Sequence, residues 1–196
     1  MKAQVLAAAV IGLQSAACAE STSLGYDQAP DWIASTVLSN EPISFGRHYA
    51  VLNLDLINAI VGRVASTEAG TTFINNVADW INTVHAQDPP PLSIFTRIYY
   101  HNPRKPELGP STPFVQVGGA LGTASDNETM IYPAFNVDES VGDTVLDKTR
   151  YYAGAGNALE EILRAQQIDT VILSGIRTSG VITSTAYRLF DLDYKV

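Results

Sequence analysis

Four places in this chain carry side chains suited to chemistry, and each lies at the carboxyl end of an apolar run. Asp55 ends the run His48 to Asp55, and Arg97 and His101 lie in and just after Leu92 to Tyr100. Lys148 follows Thr144 to Leu146, and the turn Gly175-Ile176-Arg177-Thr178-Ser179-Gly180 follows Asp169 to Ser174. A carboxylate and a lysine that converge beside a helix N-terminus form an acid/base pair facing an anion-stabilising surface. Each feature also has an ordinary use. A strand-end Asp often caps a helix, a single Lys is usually solvated, and a Gly-rich turn is also the tight connection that strand-to-helix packing requires.

The elements around these residues decide whether they meet. Residues 48–55 (HYAVLNLD) and 92–100 (LSIFTRIYY) read as strands. Phe73, Val77, Trp80, Ile81 and Val84 recur at helical spacing, which predicts an amphipathic helix over residues 70–86. The run Asp88-Pro89-Pro90-Pro91 stops it. Residues 144–146 form a short strand. Asn157 is expected to cap the next helix, with Glu160 three residues on in a capping-box arrangement. The apolar run 169–174 reads as a central parallel strand. A helix is expected over residues 179–190, and residues 194–196 open a further strand that reads as cut short at Val196. Strand alternating with helix implies parallel βαβ units, so the fold class is α/β, a three-layer doubly wound, mostly parallel sheet. In such sheets ligands bind outside the carboxyl ends of the strands. The long Gly-, Pro- and Ser-rich connection 101–143 is expected to cover that site.

The N-terminal segment reads differently. Lys2, the apolar run Ala3 to Leu13 and Ala17-Cys18-Ala19 have the pattern of a secretory signal peptide with Glu20 as first mature residue. The expected organisation is a signal peptide at 1–19, an arm at 20–45 with a short helix around Trp32 to Leu38, and one domain at 46–196. The expected localisation is secreted, with Asn127-Glu128-Thr129 as an N-glycosylation sequon. Cys18 is the single cysteine. After cleavage no thiol remains, which excludes a cysteine nucleophile and a thiolate zinc site. With a net charge of −8 and no Lys/Arg cluster, the chain is a poor candidate for binding nucleic acid or an anionic membrane. A homo-oligomer is compatible with the sequence.

Three ordered blocks resemble the isochorismatase-like (cysteine hydrolase) superfamily. Residues 48–61 (HYAVLNLDLINAIV) resemble its opening strand, which ends in Asp followed by Met-Gln-Asn; here Leu56-Ile57-Asn58 follow Asp55. Residues 144–163 resemble the block in which a Lys precedes an aromatic-rich turn and a capped helix. Residues 170–187 resemble the strand, turn and helix that carry the nucleophile, but Val181 stands where the cysteine hydrolases have Cys. The resemblance implies Asp55 as the acid or base, Lys148 as its partner, a cis peptide at Ile176–Arg177, and an oxyanion hole from the backbone N–H groups of Arg177 and Val181. It implies no cofactor. Nicotinamidase-type members bind a metal through Asp-x-His and a second His; residues 97–110 offer only His101, so no metal is expected. Isochorismatases also lack the Cys, with Gly there, and cleave a vinyl ether by protonation; Val181 is bulkier than Gly and narrows the pocket. Arg97, Arg150, Arg177 and Thr178 are candidates for substrate binding. The function so implied is hydrolysis of a small vinyl ether or amide without a covalent intermediate, and the alternative is a non-catalytic binding protein on the same fold.

Overall fold

The computed structural model describes Phe45 and residues 48–196. The expected signal peptide, Cys18 and the helix around Trp32 lie outside the described residues. Strand β1 (Tyr49–Leu54) is buried along nearly its whole length, as a run of aliphatic residues without alternation demands. It pairs in parallel with β2 (Leu92–Ile98) on one side and β4 (Thr170–Gly175) on the other; β3 (Thr144–Lys148) joins the far side of β2. The order is β3-β2-β1-β4. The sheet is parallel and flanked by helices, as the alternation of strand and helix predicts.

The register aligns the strand ends. Leu54 sits opposite both Thr96 and Gly175, and Ile98 opposite Lys148. Asp55, Thr96, Lys148 and the turn after Gly175 therefore gather at one edge of the sheet.

Helices α1 (Asn58–Val61) and α2 (Glu68–His85) follow β1. The Thr67 hydroxyl accepts from the Gly70 N–H at 3.0 Å and starts α2. A Cβ at residue 70 would stand 1.8 Å from the Val64 carbonyl oxygen, so the turn before α2 closes only on glycine. The buried face of α2 is Gly70, Ile74, Val77, Trp80, Ile81 and Val84; Phe73 lies at its margin.

On one face of the sheet, Ala50, Leu52, Leu54 and Ile94 pack with Leu159 and Leu163 of α4 (Leu159–Ala165) and Leu189 of α5 (Thr183–Phe190). Truncating a fully buried residue of this cluster, such as Leu163 to Ala, costs about 2–5 kcal/mol. Val51 and Asn53 point to the opposite face and are equally buried, so both faces are covered.

Three expectations need correction. The strand read as central, β4, has one full neighbour, β1. Among the described residues its outer side is joined only by a bridge between Thr170 and Lys195, and its last four residues are half-buried. The N-cap of α4 is Ala158 and not Asn157, which stands one residue earlier and accepts from the Leu159 N–H at 3.0 Å, and Glu160 does not close a capping box. It accepts from the Tyr152 hydroxyl at 2.8 Å and from Arg188 at 3.0 Å, since a guanidinium is a stronger donor than a backbone amide. The helix read over residues 179–190 begins as a wider π turn, Thr178–Ile182, before α5. The Tyr151 ring lies against that turn, 3.0 Å from where a Cβ of residue 180 would stand.

Candidate active site

Asp55 follows β1 with φ 56° and is 3% exposed. Burying a carboxylate is costly unless every lone-pair direction finds a partner. Strands β2 and β3 supply one partner for each carboxyl oxygen. The Thr96 hydroxyl donates to Oδ1 at 2.9 Å and accepts from the Asp55 N–H at 3.1 Å, which fixes both backbone and carboxyl. Lys148 Nζ donates to Oδ2 at 2.8 Å. Lys148 is itself 1% exposed and spends its other donors on the carbonyls of Arg150 (2.8 Å) and Tyr151 (3.2 Å). All three ammonium hydrogens are thus used.

Burial pushes the Asp55 carboxyl above its ordinary range, with Lys148 and Thr96 opposing. Burial pulls the Lys148 ammonium below its ordinary range, with Asp55 opposing. Both shifts bring the pair closer to sharing a proton, which suits groups that exchange one with a substrate.

Gly175 carries the turn to this pair. Its φ of 143° and the 2.2 Å between a hypothetical Cβ and the Leu54 carbonyl oxygen leave room for hydrogen alone. The Ile176 N–H donates to that carbonyl at 3.1 Å. The Ile176–Arg177 peptide is cis, as the resemblance implies.

A cavity of about 290 Å³ opens above Asp55. Ile176, Arg177 and Val181 form one wall, and Ala59, Ile60 and Arg63 form another. Its roof is the segment Gln116 to Leu121, which overlaps α3 (Val115–Gly118), and Tyr151 completes the lining. The long connection thus covers the site, as its length suggests. Tyr100, wholly buried, donates its hydroxyl to the Gly118 carbonyl at 3.0 Å, and Lys105 donates to the Gly119 carbonyl at 2.6 Å.

Of the residues marked from the sequence, Asp55, Arg177 and Val181 meet at this cavity, and Lys148 stands behind Asp55, shielded from solvent. The others do not. Arg97 donates to the carbonyls of Thr129 (2.7 Å) and Ala124 (2.8 Å), so it fastens the 123–130 loop instead of lining the cavity. Strand alternation turns it away from Thr96 and hence from Asp55. Arg150 donates to the carbonyls of Thr149 and Glu107 and lies over the Phe114 ring, bracing the roof from outside. His101 is paired with Glu107, and Thr178 is exposed at the start of the π turn, outside the cavity wall. Among the described residues, no three His, Cys, Asp or Glu side chains gather as a metal site.

Sequence reasoning missed Thr96, Arg63 and the roof residues Gln116, Val117, Ala120 and Leu121. The period of two along β2 was a usable signal for Thr96, because it separates that residue's face from that of Arg97. A lone Arg after a four-residue helix gives no signal.

A model of the isochorismatase domain matches residues 49–196. Among solved structures, an isochorismatase family protein from Desulfovibrio vulgaris subsp. vulgaris str. Hildenborough is 26% identical with TM-score 0.63, covering 76% of this chain and 77% of its own. N-carbamoylsarcosine amidase from Thermoplasma acidophilum is 21% identical with TM-score 0.62, over 76% and 79%. The nicotinamidase/pyrazinamidase of Bacillus subtilis is 18% identical with TM-score 0.58, over 76% and 81%. The last two likenesses concern the fold alone. No curated protein matches the sequence.

Proposed function

Because the chain belongs to the isochorismatase family, we propose that it is a hydrolase of small molecules in which Asp55 and Lys148 move a proton and no side chain bonds covalently to the substrate. The observation that carries this reading is the buried Asp55–Lys148 pair, 2.8 Å apart, at the base of a cavity whose nucleophile position is Val181. Valine has no nucleophilic atom, so water must be the attacking group.

A vinyl ether fits these parts. Asp55, with its carboxyl pKa raised by burial, donates a proton to the terminal vinyl carbon, and Lys148 offsets the carboxylate that results. Water adds to the oxocarbenium ion, and the hemiketal collapses to a ketone and an alcohol. For an amide, Asp55 instead takes a proton from the attacking water, and backbone N–H groups of Arg177 and Val181 face the developing oxyanion.

A hydrolysis screen over vinyl ethers and small amides tests the reading. Asp55→Asn should lower the turnover found by about 10²–10⁴-fold; near-wild-type turnover would remove Asp55 from the mechanism. If Asp55 acts as an acid, activity should fall as pH rises through its raised pKa, with the falling limb above the ordinary carboxylate range. If it acts as a base, the limb reverses.

Val181 favours one further reading, a binding protein on the same fold, because its side chain is only 2% exposed and belongs to the hydrophobic core. Val181→Cys separates the two. A thiol there that is readily alkylated, in a protein with Cys18 replaced by Ser, means an open pocket; a thiol inert in the folded protein favours the binder. Export is also proposed, with Glu20 as the first mature residue; an intact Met1 on cytosolic protein would refute it.

A further inference from the structure

The charge of the cavity runs against the charge of the protein. The chain carries a net charge of −8, yet the charged residues lining the cavity are Asp55, Arg63 and Arg177. Asp55 is already compensated by Lys148, so two positive charges remain. Among the described residues, Arg63, Arg104, Arg177 and Lys195 are the cations whose side chains make no hydrogen bond or ion pair. Arg97, Lys105, Lys148, Arg150, Arg164 and Arg188 all have partners. Two of those four lie on the same cavity, contributed by different elements. Arg63 follows α1 and Arg177 follows β4.

From this arrangement we infer that the cavity binds a small organic anion whose charged group is held by Arg63 and Arg177, which reach its lining from different elements. A guanidinium presents paired donors that match a carboxylate or phosphate edge, and a cleft lined by one sign of charge draws the opposite sign in. Asp55, with both carboxyl oxygens engaged, does not compete for the two guanidinium groups. The remaining wall of Ile60, Val117, Leu121, Ile176 and Val181 suits a compact apolar body. The volume of about 290 Å³ lies at the low end of the range for small-molecule sites, roughly 300–1,000 Å³. The inference rests on the cavity being the active site only insofar as the anion would be its substrate; binding itself requires no turnover.

The test is calorimetric binding at low ionic strength of three probes that share one ring: benzoate, phenyl phosphate and benzamide. Benzoate or phenyl phosphate should bind at least about tenfold more tightly than neutral benzamide, the value of one charge-assisted hydrogen bond. Which of the two anions binds better identifies the headgroup. Arg63→Gln and Arg177→Gln should each weaken the preferred anion about tenfold and change benzamide less than twofold. Equal affinity for the charged and neutral probes, unchanged anion binding in both variants, or no binding of any probe would overturn the inference. Anion binding through both arginines in a protein that hydrolyses nothing would leave it standing and remove the hydrolase reading. Turnover of neutral amides with no preference for anions would do the reverse.

Discussion

The floor of the cavity is made of strand ends, and its roof is made of loop. The floor joins β1, β2 and β3 through Asp55, Thr96 and Lys148, all buried, all with their polar atoms matched. The roof is tied to the chain just after β2 by Tyr100, whose hydroxyl donates to Gly118 and whose N–H donates to Gly122, and within the loop by Lys105 to Gly119; it exposes Val117 to 59%. Groups that exchange protons need fixed geometry, which a parallel sheet supplies through its register. Groups that choose a ligand tolerate, and often need, a segment able to yield.

Removing parts of the floor should therefore cost far more than removing parts of the roof. Lys148→Met leaves the Asp55 carboxylate buried without its counter-charge, and stability by denaturant unfolding at neutral pH should fall by about 3–5 kcal/mol. The sign of its pH dependence follows. Without Lys148 the Asp55 pKa in the folded state rises further above the unfolded value of about 3.9. The folded protein then holds the extra proton, so the penalty is smallest at low pH and grows as pH rises through that window. A penalty flat with pH would mean that Asp55 is not the group left exposed to the loss.

Thr96→Val keeps the shape of the floor and strips two hydrogen bonds from Asp55, on the backbone N–H and on Oδ1. About 1–3 kcal/mol of stability should go with them, and the pKa governing the pH–rate profile should rise, because Thr96 stabilises the charged carboxylate. Loss of stability with an unmoved profile would make Thr96 a purely structural residue. In the roof, Tyr100→Phe deletes one hydroxyl donor and should cost about 1 kcal/mol. It should speed amide exchange in residues 115–121 while leaving Asp55 and its pH profile untouched. A Tyr100→Phe effect as large as that of Lys148→Met would erase the distinction between floor and roof.

Much of the floor was legible in the sequence because strand ends obey simple rules. The apolar runs locate β1, β2 and β4, the alternation with helices makes the sheet parallel, and a parallel sheet brings Asp55, Lys148 and the Gly175 turn to one edge. What stayed hidden depends on contacts across long sequence separations. Arg97 and Arg150 look alike as cations near strand ends, and only the folded loop shows that their donors go to backbone carbonyls. Glu160 stands at a capping position, but Arg188, 28 residues on, outbids the local amide. Arg63 gains its meaning only when the turn bearing Arg177 arrives on the other wall.

The left-handed backbone at Asp55 has a bearing on how this site could drift. At φ 56° most side chains are strained by about 1 kcal/mol or more, whereas Gly is at ease and Asn and Asp are tolerated. Single replacements that spare the chain's path are therefore Gly and Asn, and both abolish the carboxyl group. Either replacement relaxes the turn but leaves the buried Lys148 ammonium without its counter-charge, a loss of about 3–5 kcal/mol that outweighs the relief. The acid at residue 55 is thus held against its own backbone by its pairing with Lys148, and a survey of natural variants would reveal whether residues 55 and 148 change only together.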